Sequence, residues 1–114
     1  MATKRPTFRL ARVAELIQRE IGNLLVREVN DPRLKKVTLS HVKMSPDLRH
    51  ARISFTVIDE ADAVYSAKAL NKAANFFRRH IAKELELRVV PELFFVYDKS
   101  LHDAEELVSL INRL

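Results

Sequence analysis

The chain has 114 residues, 47% hydrophobic and 31% charged, a globular balance that fits one domain with its own core. It has no cysteine, a single glycine (Gly22) and no apolar run near the ~18 residues of a membrane span. Those absences exclude a disulfide framework, a thiolate metal site, a glycine-rich phosphate loop and a transmembrane helix. The net charge of +5 is uneven: residues 1–90 hold 18 Lys and Arg against 10 Asp and Glu, and residues 91–114 hold 2 against 5. A basic body of this kind suits a polyanionic partner, although a solvated basic surface gives the same count.

Residues 1–7 read as a flexible N-terminus without an apolar signal core, in keeping with a cytoplasmic protein, and residues 8–114 as one domain. Leu10, Val13, Ala14, Ile17, Ile21, Leu24 and Leu25 recur at helical spacing, which predicts a helix over 8–28 with Thr7 as its cap. Gly22 inside it costs about 1 kcal/mol relative to alanine. Close packing against a sheet would explain it; so would no special role. Asp31-Pro32 stops the helix, because proline lacks an N–H and disfavours helical geometry in the residue before it.

Residues 36–44 read as a strand whose alternation slips, since Val37 and Leu39 share one parity and Val42 and Met44 the other. A bulge near Ser40-His41 reconciles them. Ser45-Pro46-Asp47-Leu48 suits a turn. The next strand alternates cleanly, with Ala51, Ile53, Phe55 and Val57 on one side, so the two strands form an antiparallel hairpin. Asp59-Glu60-Ala61-Asp62 places acids at a helix N-terminus.

A helical pattern then runs to Leu85 through Val64, Ala67, Leu70, Ala74, Phe77 and Ile81. As one straight helix it would span roughly 39 Å at about 1.5 Å per residue, about twice a typical strand. A break is therefore predicted within Ala73-Ala74-Asn75, with Asn75 as the residue best able to turn left-handed. Residues 93–97 (Leu-Phe-Phe-Val-Tyr) read as a buried strand after Pro91, parallel to the second strand because a helical crossover joins them. Ser100-Leu101-His102-Asp103 resembles a capping box before a last helix with Ala104, Leu107, Val108, Ile111 and Leu114 on one face. The class is α+β, in the order α-β-β-α-kink-α-β-α.

At 100° per residue, Lys68, Lys72, Asn75, Arg79 and Lys83 cluster opposite the apolar arc of the broken helix, with Arg78 at their edge. No acid stands among them, whereas a merely solvated face usually mixes signs to gain i,i+4 pairs. Such a stripe can follow a phosphate backbone. Arg33, Lys35 and Lys36 form a second basic cluster, and Lys4, Arg5, Arg9 and Arg12 a third. The four histidines are scattered, no nucleophile signature is present, and no cofactor pattern is found, so neither a metal site nor an enzyme is expected. Aromatics on a sheet face, as an RNA-recognition motif needs, are not evident.

Three motifs stand in order: Asp31-Pro32-Arg33-Leu34, then Met44-Ser45-Pro46-Asp47-Leu48-Arg49-His50-Ala51, then Arg88-Val89-Val90-Pro91-Glu92-Leu93-Phe94-Phe95-Val96-Tyr97-Asp98. In them the chain resembles the ribosome-binding factor A family, over about residues 8–112. The resemblance implies a type-II KH-like domain, a three-stranded mixed sheet with helices packed on one face. It implies a non-enzymatic assembly factor that binds the immature small (30S) subunit and its 16S rRNA. It further implies help in late maturation and 5′-end processing, importance in the cold, a release GTPase as a second partner, and action as a monomer. The family interrupts its middle helices with Ala-x-Gly; here Ala73 and Ala74 match the start and Asn75 stands in the glycine position. Many members also carry a longer polar C-terminal tail. A protein-interaction module acting through helix 8–28 or helix 100–113 is the alternative.

Overall fold

In the computed structural model, which describes residues 4–32 and 34–113, helix α1 (Lys4–Arg27) is followed by a 3₁₀ turn (Leu34–Lys36) and strands β1 (Thr38–Met44) and β2 (His50–Thr56). A second 3₁₀ turn (Glu60–Asp62), helices α2 (Ala63–Lys72) and α3 (Ala74–Leu85), strand β3 (Glu92–Tyr97) and helix α4 (Ser100–Arg113) complete it. The sheet order is β1-β2-β3, antiparallel at the first pair and parallel at the second, as the connections require. The bulge falls at Ser40, where the β1–β2 register shifts between Leu39 and His41.

Helix α1 begins before the expected residue 8, so residues 4–7 are helical and Thr7 lies inside the helix rather than at its cap. Pro6 does not prevent this, because a first-turn residue has no intrahelical partner for the missing N–H. The strand expected from residue 36 begins at Thr38, since Lys35 and Lys36 belong to the 3₁₀ turn. Ile17, Ile21 and Leu24 are fully buried against the sheet, as the spacing predicts. Gly22 meets nothing within 4 Å where a Cβ would stand, so it permits no close approach.

The core lies on one sheet face. Ala51, Ile53 and Phe55 of β2 and Leu93 and Phe95 of β3 point into it, where Leu70, Phe77 and Ile81 meet them. Phe77 and Phe95 rings sit 5.5 Å apart and tilted, an aromatic pair that joins α3 to β3. His80 Nε2 lies 2.9 Å from Glu20 Oε1 and ties α3 to α1. Val64, expected on the apolar face, is 68% exposed, and Ala63 and Ser66 are buried in its place. Helical phase explains it: at 100° per residue Val64 stands about 120° from the buried Leu70, whereas Ala63 and Ser66 fall within about 40° of it.

The break falls at Ala73, with φ −89° and ψ 4°. This bridge-region geometry is open to any L-residue. Asn75 is already helical in α3, and positive φ occurs only at Leu48 and Glu86 among the described residues. The kink is thus where the sequence placed it, but it needs neither glycine nor a left-handed Asn75.

Residues 93–97 were expected to form a buried strand. They alternate instead, with Leu93 and Phe95 buried and Phe94 and Val96 exposed, because helices cover only one face of the sheet. Helices α1, α2 and α3 fill that face. Every described side chain of α4 is exposed, Leu107, Val108, Leu110 and Ile111 included, since the inner face has no room left. The radius of gyration, 15.9 Å, exceeds the ~13 Å of a compact 100-residue domain and reflects this outlying helix. The helix begins at Ser100, whose N–H donates to Asp98 Oδ1 at 2.9 Å. The reciprocal contact expected of Asp103 lies outside the described residues. No helix among the described residues is long and apolar enough to cross a membrane.

Candidate nucleic-acid interface

The break at Ala73 divides the basic stripe into two shorter ones. Lys68 and Lys72 are one turn apart on α2, and Asn75, Arg79 and Lys83 follow at four-residue steps on α3. All five are exposed, as i,i+4 neighbours opposite a buried face must be. Phe76, beside them, is 37% exposed and packs edge-on against Phe77.

Just past the break the surface turns concave. A cleft of about 450 Å³ is lined by Asn75, Arg78, Arg79, Ala82 and Val90. A second, about 220 Å³, runs between Ala74, Asn75 and Arg78 on the helix and Glu92, Leu93 and Phe94 on β3. A third, about 470 Å³, holds Arg49, His50, Arg78, Arg88, Val89, Val90 and Glu92. Arg78 lines all three, so they form one track from the helix break to the start of β3.

Arg78 shapes that track. Its Nε donates to Pro91 O at 3.2 Å and its Nη2 to Val90 O at 3.0 Å. The two bonds hold the segment between α3 and β3 against the helix. They leave further N–H donors on the guanidinium, which has five in all. That segment starts at Glu86, whose left-handed φ of 49° ends α3. Four arginines, Arg49, Arg78, Arg79 and Arg88, therefore border the track against one acid, Glu92. An arginine-rich concavity attracts phosphate by charge and by forked hydrogen bonds.

Asn71, one turn before Asn75, ties α2 to β3. Its Nδ2 donates to Phe95 O at 3.0 Å and its Oδ1 accepts from Phe95 N at 2.9 Å. The side-chain amide thus takes the place of a neighbouring strand along the outer edge of β3, closing one stretch of it.

Not every expected contact gathers here. Lys35 and Lys36 are exposed in the 3₁₀ turn and Arg9 and Arg12 on α1, and none lines the three clefts. Arg33 lies outside the described residues, as do the side chains of Lys4 and Arg5. Conversely, Arg49, His50, Arg88 and Phe94 form the second wall; all four stand in the motifs that carry the family resemblance, but the sequence does not mark them as RNA contacts. Period-two alternation along β3 would have turned Phe94 outward; Arg49 and Arg88 fall in family motifs, but nothing local marks them as facing one cleft. Among the described residues no group of three His, Asp or Glu side chains could hold a metal ion.

The family model described as ribosome-binding factor A matches residues 9–111. A ribosome-binding factor A from Nitrosococcus oceani is 45% identical over 106 residues, covering 92% of this chain and 84% of its own. A Thermotoga maritima protein assigned to the same factor and solved by NMR matches with a TM-score of 0.68 at 36% identity, over 78% of this chain and 86% of its own. A homology model of the Thermus thermophilus factor, fitted to the cryo-EM map of a 30S complex, matches at 21% identity with a TM-score of 0.66, over 79% of this chain and 96% of its own, a likeness of fold. With its helix break, mixed sheet and length-wide match, the chain belongs to the ribosome-binding factor A family.

Proposed function

We propose that the protein binds the immature small ribosomal subunit through its 16S rRNA, and that the surface around the α2–α3 break makes the contact. The observation that carries this reading is the arginine-bordered track centred on Arg78, joined to the exposed cations of α2 and α3. Lys68, Lys72, Arg79 and Lys83 supply phosphate contacts, and Asn75 adds a neutral donor and acceptor at the break. Lys35, Lys36, Arg9, Arg12 and Arg33 extend the footprint. Family membership supports the same partner, because the Thermus thermophilus factor is described in a 30S complex.

On this reading the protein is not an enzyme. It is a cytoplasmic monomer that holds rRNA during late maturation and 5′-end processing, matters most in the cold, and leaves with the help of a GTPase. Shape and charge of the RNA, rather than base reading, give most of the selectivity.

Changing Lys72 and Arg79 together to Glu is expected to reduce co-sedimentation with small subunits by tenfold or more while the melting temperature stays within a few degrees. Unchanged co-sedimentation would remove this site. The alternative, a protein-interaction module, draws on the exposed apolar side of α4. Ionic strength separates the two, since phosphate contacts weaken steeply with salt and an apolar interface hardly responds.

A further inference from the structure

The sheet face turned away from α1–α3 has a composition of its own. Register places Lys43 of β1 opposite Arg52 of β2, and Arg52 opposite Phe94 of β3. One row across the sheet thus reads cation, cation, aromatic, over about 10 Å at the usual strand spacing. Phe94 is 46% exposed. The exposed His50 ring stacks beside it, with centroids 5.9 Å apart and planes 25° from parallel. In the next row His41 and Ser54 pair at 3.2 Å beside the partly exposed Val96. Glu92, opposite His50, is the one acid among the described outward residues of the three strands.

We infer that this open sheet face is a second contact surface for single-stranded RNA, with a base stacking on the Phe94–His50 pair and Arg52 and Lys43 holding the adjoining phosphates. Sequence-tolerant binders of single strands combine these same elements, a flat aromatic for the base and cations beside it for the backbone. Placement of the charges selects the occupant: Lys43 and Arg52 stand side by side next to the Phe94 ring, while Glu92, Asp47 and Asp98 sit at the ends of the strands beside the two histidines, so the cations for a backbone phosphate adjoin the aromatic for its base. Position agrees, because Phe94 also lines the cleft with Asn75 and Arg78, and His50 the cleft with Arg49 and Arg88. A strand that follows the track past β3 passes directly over Phe94 onto the sheet. The inference rests on the RNA-binding reading above and adds a surface that the helix stripe does not contain.

The test uses the full chain and a fluorescein-labelled RNA dodecamer of mixed sequence, with an abasic dodecamer as its counterpart, followed by anisotropy. Phe94→Leu, which keeps an apolar side chain on an exposed strand position, is expected to weaken binding of the intact RNA about tenfold and to leave the abasic RNA unchanged. The Lys43→Glu, Arg52→Glu double variant is expected to weaken both. If Phe94→Leu binds intact RNA like the parent while the Lys72→Glu, Arg79→Glu variant does not, the sheet face is excluded and the helix stripe stands. If the parent binds neither RNA, the sheet face is excluded, and co-sedimentation with small subunits decides the helix stripe separately. Amide shifts provide an independent check: RNA should move the signals of His50, Arg52, Phe94 and Val96 in the unsubstituted protein. Silent signals would overturn the proposal. So would NOEs from the Phe94 ring to Leu107 or Ile111 methyls, which would make this face a seat for α4.

Discussion

Gly22 shows how a residue can look significant in sequence and carry no constraint in the fold. A lone glycine in a helix invites a packing explanation, yet the space beside it is open. Gly22→Ala is therefore expected to stabilise the protein by about 0.5–1 kcal/mol, chiefly by restricting the unfolded chain. Denaturant midpoints measured at a constant slope would show it. Asp47 is the opposite case. The Ser45 hydroxyl donates to its carboxylate at 2.6 Å and Arg49 N–H at 3.0 Å, and these bonds hold its pKa below the usual carboxylate value. A depressed folded pKa means stability that is present above the unfolded value and lost as pH falls through the folded one. The β1–β2 turn should accordingly loosen only below about pH 3.9, the ordinary aspartate value. The Arg49 amide signal should report a midpoint beneath that value, and Asp47→Asn should abolish the titration.

At the scale of elements, Asn71 does work that its exposed place on α2 does not advertise. It exchanges two hydrogen bonds with the Phe95 backbone across 24 residues of sequence. Asn71→Ala is expected to cost about 1–3 kcal/mol, the penalty for leaving peptide groups of an edge strand unpaired, and to raise hydrogen exchange at the Phe95 amide. Elements of this kind were unevenly legible. Helices and the hairpin followed from local periodicity, because Ile17, Ile21 and Leu24, or Ala51, Ile53 and Phe55, repeat at the spacing of one buried face. That the middle helix breaks followed from its length, and the place from Asn75, but the backbone geometry did not, since the bridge-region values fall at Ala73 and leave no mark in residue type. β3 misled because Leu-Phe-Phe-Val-Tyr is apolar on both sides, and only the arrangement of helices decides that Phe94 and Val96 stay open. The second wall of the track was illegible for a plainer reason. Arg49 and Arg88 are distant in sequence and meet only because β2 and β3 run parallel, with His50 opposite Glu92 at their starts.

For the whole molecule, these pieces give a thin plate. Three helices cover one face of the sheet, the other face is open, and α4 stands apart from both. The break in the middle helix and the start of β3 meet along one edge of that plate, and there the cations concentrate. A basic edge bent around a sheet can hold RNA by its backbone without reading its bases. Crosslinking the unsubstituted protein to immature small-subunit particles, with the crosslinked peptides mapped by mass spectrometry, tests this most directly. RNA-linked residues are expected within 68–83 and 88–94. RNA crosslinks confined to α1 or α4, or crosslinks to ribosomal proteins alone, would contradict the account.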